Sequence, residues 1–349
     1  MTNTMATDPS ESTEHKQEPP ADLPAVKPPT TGFFLQLFVL PAVIVFGIML
    51  VWFLFGKLAH NDRSVEGYVE AIKSGGGERW KAAHDLTHLL RSGSVHTKNL
   101  ELAVSLKGLL ENQLATEETE ENGRRRPRAA EPDDEERLRL VEYLCGALGC
   151  FEFTIGVPAL RRAAEPEQPF LIRKAALVSI ARLADQLGDV DDPNVVPEVV
   201  EYSREDDQQV REVATYTLGF LDDSRSVSAL KAALNDPSVH VRINASVALA
   251  SHGDEAAIPA LSQLLDVAQL AEQFQTEGSS TEEASVEKAR LTVAVALAAL
   301  KRLAERNPNA DLSSIRTSVE RLAGDESGFL RVRAKEVLVA MPGEASTAQ

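Results

Sequence analysis

A long run of apolar residues without a single charge lies near the start of the chain, from Phe33 to Phe55. As an α-helix this run would be roughly 34 Å long, and the hydrocarbon core of a bilayer is about 30 Å thick. Pro41 and Gly47 within the run are compatible with this reading, because both residue types are commoner in membrane helices than in soluble ones. We therefore expect residues 32–58 to form one transmembrane helix.

A cleaved signal peptide is the alternative interpretation of the run. The apolar region of a signal peptide is usually about 7–15 residues long, begins near the N-terminus and ends at a small-residue cleavage site. Here the run is longer, begins only at Phe33, and ends in the sequence FLFGK at 53–57. An uncleaved anchor explains these features better.

Basic residues on the two sides of the run predict its orientation. Lys57, Arg63 and Lys73 follow the run, whereas Lys16 and Lys27 precede it. Because positively charged flanks stay on the cytoplasmic side, this balance favours a cytoplasmic C-terminal domain. The chain is therefore predicted to be a single-pass membrane protein.

The remaining composition indicates an all-α protein that does not bind nucleic acid. Ala and Leu dominate the later chain, and alternating β-branched residues are scarce. The net charge of −17 and the aromatic content of 5% disfavour phosphate neutralisation and base stacking. Two cysteines, Cys145 and Cys150, are too few for a disulfide scaffold and are expected to be buried thiols.

The first 31 residues have the composition of a disordered tail. They are rich in Pro, Glu, Thr and Ser, and contain almost no large apolar side chains. Such a segment cannot bury enough apolar surface to offset the entropy of ordering it. We expect a disordered tail over 1–31, a folded domain over 59–343 and a short tail over 344–349.

A recurring pattern, Arg followed by Ala three residues later, marks four segments of the domain. It occurs in LIRKAALVSIA, QVREVATYTLG, HVRINASVALA and LRVRAKEVLV. The arginines are Arg173, Arg211, Arg242 and Arg331, and a shorter amphipathic stretch precedes each segment. The first three are 38 and 31 residues apart, which is a period typical of stacked helix pairs.

These segments resemble HEAT repeats, in particular the short bacterial kind also found in phycobilisome lyase-type proteins. The resemblance covers most of residues 62–342. It implies an all-α fold, an α-solenoid of about seven stacked helix pairs preceded by one transmembrane helix. The pairs are expected at about 62–92, 95–149, 152–187, 192–221, 224–253, 254–305 and 308–342.

The resemblance also implies a ladder between adjacent repeats, built from an acidic residue before the second helix of a pair and an arginine within that helix. By match, Asp236 with Arg242 and Asp325 with Arg331 take these roles. At the aligned positions the other two steps have glutamates, which gives Glu205 with Arg211 and Glu167 with Arg173.

Two insertions interrupt the period, at about 116–134 and 276–284. The first places Arg124, Arg125, Arg126 and Arg128 between two acidic runs. A solvated loop is the simplest interpretation, and a protease-sensitive site or a docking motif for an acidic partner are the alternatives. Because insertions in repeat arrays often emerge on the binding face, these arginines form a candidate partner-binding loop.

Motifs for catalysis, cofactors or metals are missing from the sequence. His84 and His88 have the spacing of zinc ligands, but Asp85 replaces the glutamate of an HExxH motif and no third ligand is evident. One enzymatic HEAT relative, deoxyhypusine hydroxylase, carries His-Glu iron ligands, and this chain has no His-Glu dipeptide. We therefore expect no catalytic, cofactor-binding or metal residues.

Three functions are compared on this basis. The first is a membrane-anchored scaffold whose concave surface holds another protein. The second is a chromophore- or cofactor-handling factor, by analogy with lyase-type HEAT proteins. The third is a hydrolytic enzyme, for which His84 and His88 are the best candidates. The anchor, the repeats and the missing motifs favour the scaffold.

Overall fold

The computed structural model describes residues 39–59, 64–74, 79–93, 95–115, 132–276 and 281–341. Within these ranges it contains 16 α-helices, two short 3₁₀ helices and no β-strand. The all-α prediction is therefore confirmed for the described part of the chain. The chain divides into two compact units, Met1–Asp62 and Arg63–Gln349.

The first unit contains one described helix, α1 (Leu40–Ala59). Nearly all of its described side chains from Ala42 to Trp52 are exposed. Over the residues that the structure describes, no helix has both the length and the apolar character needed to cross a membrane. The transmembrane helix predicted for residues 32–58 is therefore not supported by the structure, and residues 32–38 lie outside the described part.

Seven pairs of helices follow in the described part of the second unit, which is the number predicted from the repeats. The first helices are α2 (Val65–Lys73), α4 (Leu100–Ala115), α6 (Val157–Ala163), α8 (Val195–Tyr202), α10 (Ser224–Ala233), α12 (Ala257–Gln263) and α15 (Ser313–Leu322). The second helices are α3 (Arg79–Arg91), α5 (Pro132–Leu148), α7 (Phe170–Leu187), α9 (Gln208–Leu218), α11 (Val239–Ser251), α14 (Glu282–Arg306) and α16 (Gly328–Ala340).

The second helices form one continuous layer. Each packs against the first helix of its own pair and against the second helix of the pair before and after it. The alanines of the repeat pattern lie in this layer, and their side chains are fully buried: Ala176, Ala214, Ala245 and Ala334. Small side chains at these positions allow neighbouring helices to approach closely, which explains the recurrence of alanine.

Glycines mark the closest approaches between second helices. A Cβ atom added to Gly149 would lie 2.7 Å from Cβ of Ser179, and one added to Gly219 would lie 2.8 Å from Cβ of Ala248. Real Cβ atoms do not come this close, so only glycine fits without moving a helix.

The sixth pair differs from the sequence-based expectation because it contains a third helix, α13 (Val267–Thr276). α13 packs against α14, and residues 277–280 of the second predicted insertion lie outside the described residues. Residues 116–131 of the first insertion lie outside them as well.

Candidate functional site

An arginine near the start of six second helices donates a hydrogen bond to a main-chain oxygen of its own pair. Arg211 illustrates the arrangement, with Nη1 3.0 Å from O of Glu205 and 2.8 Å from O of Asp206. These oxygens lie in the connection between the two helices, where no helical partner satisfies them. The six pairs are Arg79–Ile72, Arg137–Gln113, Arg173–Ala164, Arg211–Glu205, Arg242–Asp236 and Arg331–Asp325, at 2.8–3.2 Å.

Two of these arginines also bind a carboxylate from the following pair. Nη1 and Nη2 of Arg173 lie 3.0 and 2.6 Å from the carboxylate oxygens of Glu205. Nε and Nη2 of Arg211 lie 2.8 and 3.1 Å from those of Asp236. Both contacts are bidentate, a geometry that fixes orientation as well as distance. We call these two contacts the ladder, since each ties one pair to the next.

The ladder corrects the pairing expected from the sequence. Asp236 was matched with Arg242, but its carboxylate binds Arg211, and Arg242 contacts the main-chain oxygen of Asp236 instead. The reason is geometric. Arg242 is held by the main-chain oxygen of Asp236, so the carboxylate of Asp236 remains for Arg211 of the preceding pair. In the same way, the carboxylate of Glu205 binds Arg173 of the preceding pair and not Arg211, with which it was matched.

The two other pairings expected from the sequence, Glu167 with Arg173 and Asp325 with Arg331, do not form ion pairs. Among the described residues, Glu167 is not within ion-pair distance of Arg173, whose carboxylate partner is Glu205. The carboxylate of Asp325 accepts from the backbone N–H of Ser327 at 2.8 Å, and Arg331 contacts its main-chain oxygen.

The ladder pair Arg211–Asp236 is ionised at neutral pH. Burial alone would raise the pKa of Asp236, whose side chain is 10% exposed. Hydrogen bonds from Arg211 and from the backbone N–H of Ser238 outweigh that effect, so the pKa lies below its usual value. The same contact with Asp236 raises the pKa of Arg211.

A second set of ion pairs links the first helices and was missed in the sequence. Arg161 on α6 pairs with Glu198 on α8 and, at 3.1 Å, with Asp192 before α8. Lys231 on α10 pairs at 2.7 Å with Asp254 before α12. A signal for these pairs was present, because both basic residues follow an Ala-Leu dipeptide at the same place in their repeats.

A row of apolar side chains lies on the outer side of the second-helix layer. Each interior second helix has a second helix on both sides and the first helix of its own pair behind it, so its exposed residues face away from the first helices. Tyr216, Leu291 and Val295 are 41%, 54% and 46% exposed. We call this the second-helix surface. Tyr216, Leu291 and Val295 are its exposed apolar residues, and Val178, Ile243 and Val247 are half-buried and pack against the core.

The other predicted sites are not brought together by the structure. Arg124, Arg125, Arg126 and Arg128 lie outside the described residues. His84 lies 3.0 Å from its neighbour Asp85, and the described part of the chain contains no group of three potential metal ligands. Cys145 and Cys150 are buried free thiols.

A depression of about 440 Å³ lies between the connection after α5 and the end of α7. It is lined by Phe153, Ile155 and Leu187, with carboxylates that include Glu152 and Asp189. Sites for small molecules are mostly apolar and bury most of the ligand surface. This depression is open and acidic, so it gives no support to pigment handling.

The central pairs, which contain the Arg211–Asp236 contact, are similar in sequence to a known family. Residues 181–239 and 196–272 match the HEAT-repeat family. The matched region extends from α7 to α13 and therefore covers the central part of the array. The chain is thus similar to HEAT-repeat proteins there, as a repeat solenoid suited to protein–protein interaction.

Three solved structures with some likeness to the chain are engineered proteins. A designed armadillo repeat protein, YIII(Dq)4CqI, is 18% identical, with 74% of this chain and 98% of that chain covered and a TM-score of 0.36. Computationally designed armadillo repeat proteins for modular peptide recognition are 16% identical, with the same coverage and a TM-score of 0.35. An engineered protein from a structural genomics consortium is 17% identical, with 79% and 73% covered and a TM-score of 0.40.

All three TM-scores lie below 0.5, so these likenesses do not establish a shared fold. No curated protein matches the sequence at a significant level.

Proposed function

We propose that this chain is a non-catalytic scaffold whose second-helix surface binds another protein. The observation that carries the proposal is the set of apolar side chains on this surface, of which Tyr216 of α9 and Leu291 and Val295 of α14 are exposed. The members on α7 and α11 are half-buried. Contiguous exposed apolar residues mark interaction sites. Repeat arrays bind partners through such extended surfaces.

The dimensions of the row favour an extended segment of the partner. Neighbouring packed helices are about 8–10 Å apart, so the row from α7 to α14 extends over about 27 Å. An extended chain rises about 3.3 Å per residue, and about eight residues would follow the row. An apolar side chain at about every third residue would then contact each second helix.

The proposal includes a membrane tether, which rests on the sequence alone. The uncharged run Phe33–Phe55 would hold the solenoid at a membrane with its C-terminal domain in the cytoplasm. We expect the full chain to stay in the membrane pellet after alkaline carbonate extraction, and a deletion of 33–55 to release it. Extraction of the full chain by carbonate would remove the tether from the proposal.

Matched double variants test the second-helix surface. Leu291→Asp with Val295→Asp changes two exposed residues of α14, which are 54% and 46% exposed. Leu100→Asp with Val104→Asp makes the same change on α4, a first helix, where the residues are 51% and 49% exposed. The protein carries a C-terminal tag and is crosslinked in intact cells before extraction and mass spectrometry.

The two variants are expected to differ. A partner that the unmodified protein retains in stoichiometric amount should be lost from the α14 variant and kept by the α4 variant. Equal retention by both variants would contradict binding at the second-helix surface. A bound pigment without a protein partner would favour the ligand-handling alternative.

A further inference from the structure

The arginine of the last pair, Arg331, has the main-chain contact of the ladder arginines without their carboxylate. Its Nη1 donates to O of Asp325 at 2.9 Å, as Nη1 of Arg211 donates to O of Glu205 at 3.0 Å. Among the described residues Arg331 has no ion pair with a carboxylate, and the same is true of Arg242 in the fifth pair. The guanidinium is therefore positioned like that of Arg211 but has no ladder partner in this part of the chain.

The last helix is cationic, in contrast to the chain as a whole. α16 carries Arg331, Arg333 and Lys335 against one acidic residue, Glu336. Glu336 already pairs with Lys301 of α14 at 3.5 Å. The chain has a net charge of −17, so this cationic helix would attract an acidic segment of another molecule.

The side of α16 that corresponds to an interface between pairs is open and apolar. In α7 and α11 the eighth residue after the arginine is Ala181 or Ala250, and both are buried. On α16 that residue is Val339, which is 88% exposed.

We propose that this end of the array is a second docking site, which binds an acidic segment of a partner protein. We call it the C-terminal end site, formed by Arg331, Lys335 and Val339. A partner carboxylate would bind Arg331 as the carboxylate of Asp236 binds Arg211, through two parallel hydrogen bonds. An apolar side chain next to that carboxylate would cover Val339.

The geometry favours a protein segment over a membrane surface. The main-chain contact holds the guanidinium of Arg331 in place, and Arg173 and Arg211 show that an arginine held in this way can accept one carboxylate in a bidentate manner. An anionic bilayer attracts basic residues through its surface charge, and this attraction does not require a guanidinium held in one orientation. The site is separate from the second-helix surface, so each can fail without the other.

Photocrosslinking of the full-length protein tests the site. A photoreactive p-benzoylphenylalanine replaces Val339 in the tagged protein, and a control carries it in place of Val104, an exposed valine of the first helix α4. We expect an adduct with one other protein from position 339 only. The crosslinked peptide should contain Asp or Glu within a few residues of the attachment point.

Charge variants connect the adduct to the arginine. Arg331→Gln should reduce the yield at position 339 at least fivefold, whereas Arg321→Gln, at an exposed arginine of α15, should leave it unchanged. Equal yields with Arg331→Gln would overturn the proposal. Adducts with a second copy of this chain or with lipid, or no adduct at position 339, would overturn it as well.

A synthetic peptide of the crosslinked segment gives the quantitative readout. Its affinity for the full chain should fall at least tenfold when its acidic residue is replaced by the amide, since hydrogen bonds between two charged groups are stronger than those to a neutral amide. Val339→Asp should abolish binding without affecting folding, because that side chain is almost fully exposed. Unchanged affinity with either change would contradict the site.

Discussion

The contact between Arg211 and Asp236 should stabilise the array far more than an exposed ion pair does. The two side chains are 14% and 10% exposed, so solvent screens their charges little. Arg211→Ala removes two bonds to the carboxylate and two to main-chain oxygens, and it leaves Asp236 without its cation. Breaking a buried pair in this way costs about 3–5 kcal/mol.

A double-mutant cycle separates the contact from the other effects of each substitution. Arg211→Ala, Asp236→Ala and the double variant are compared by urea unfolding, followed by far-UV circular dichroism. We expect a coupling free energy of about 2 kcal/mol, since two charge-assisted hydrogen bonds are lost together. The control cycle uses Arg225 and Asp223, whose side chains are 54% and 27% exposed, and should give less than about 1 kcal/mol. A coupling below about 0.5 kcal/mol for Arg211 and Asp236 would refute the ladder.

Four further predictions concern burial, close packing and helix propensity. Because its folded-state pKa is lowered, Asp236 contributes stability that is present above the ordinary carboxyl pKa of about 4 and is lost as the pH falls through the folded value. Urea midpoints of the unmodified protein and Asp236→Asn should therefore converge below about pH 4, and a constant difference would contradict this. Gly149→Ala should destabilise by about 1–3 kcal/mol, because its Cβ would lie 2.7 Å from Ser179. Gly108→Ala has no atom within 4 Å of the added Cβ and should stabilise helix α4 by up to about 1 kcal/mol. Burial raises the pKa of the Cys145 thiol, so Ellman's reagent should label it only after unfolding, and fast labelling of the native protein would show that it is accessible.

Local sequence was sufficient to predict the helix pairs and four of the six arginines. The Arg-x-x-Ala spacing identifies second helices because the alanine lies where two helices approach closely. Few other residue types fit at that position. Arg79 and Ala82 carry the same spacing, so this arginine could have been recognised. Arg137 was hidden, because Leu140 takes the place of the alanine.

Contacts between pairs could not be predicted from spacing within a pair. Asp236 lies six residues before Arg242 but 25 residues after Arg211, and the shorter separation suggested the wrong partner. Which arginine binds the carboxylate of Asp236 depends on the side of each guanidinium that the main-chain oxygens occupy. That arrangement is set by the packing of the helices and cannot be read from the spacing.

The second-helix surface was also invisible in the sequence. Val295 and Leu297 are both apolar residues of α14, yet Val295 is 46% exposed and Leu297 is buried. The difference arises from the position of the neighbouring helices around α14. Helix α13 changes those neighbours, and the repeat pattern gave no indication of it.

The most direct test of the proposed function is hydrogen–deuterium exchange of the full chain with and without its captured partner. Binding along the second-helix surface predicts slower exchange in α9, α11 and α14, with the first helices α8, α10 and α12 unchanged. Protection confined to those first helices, or no change in any of the six, would contradict it.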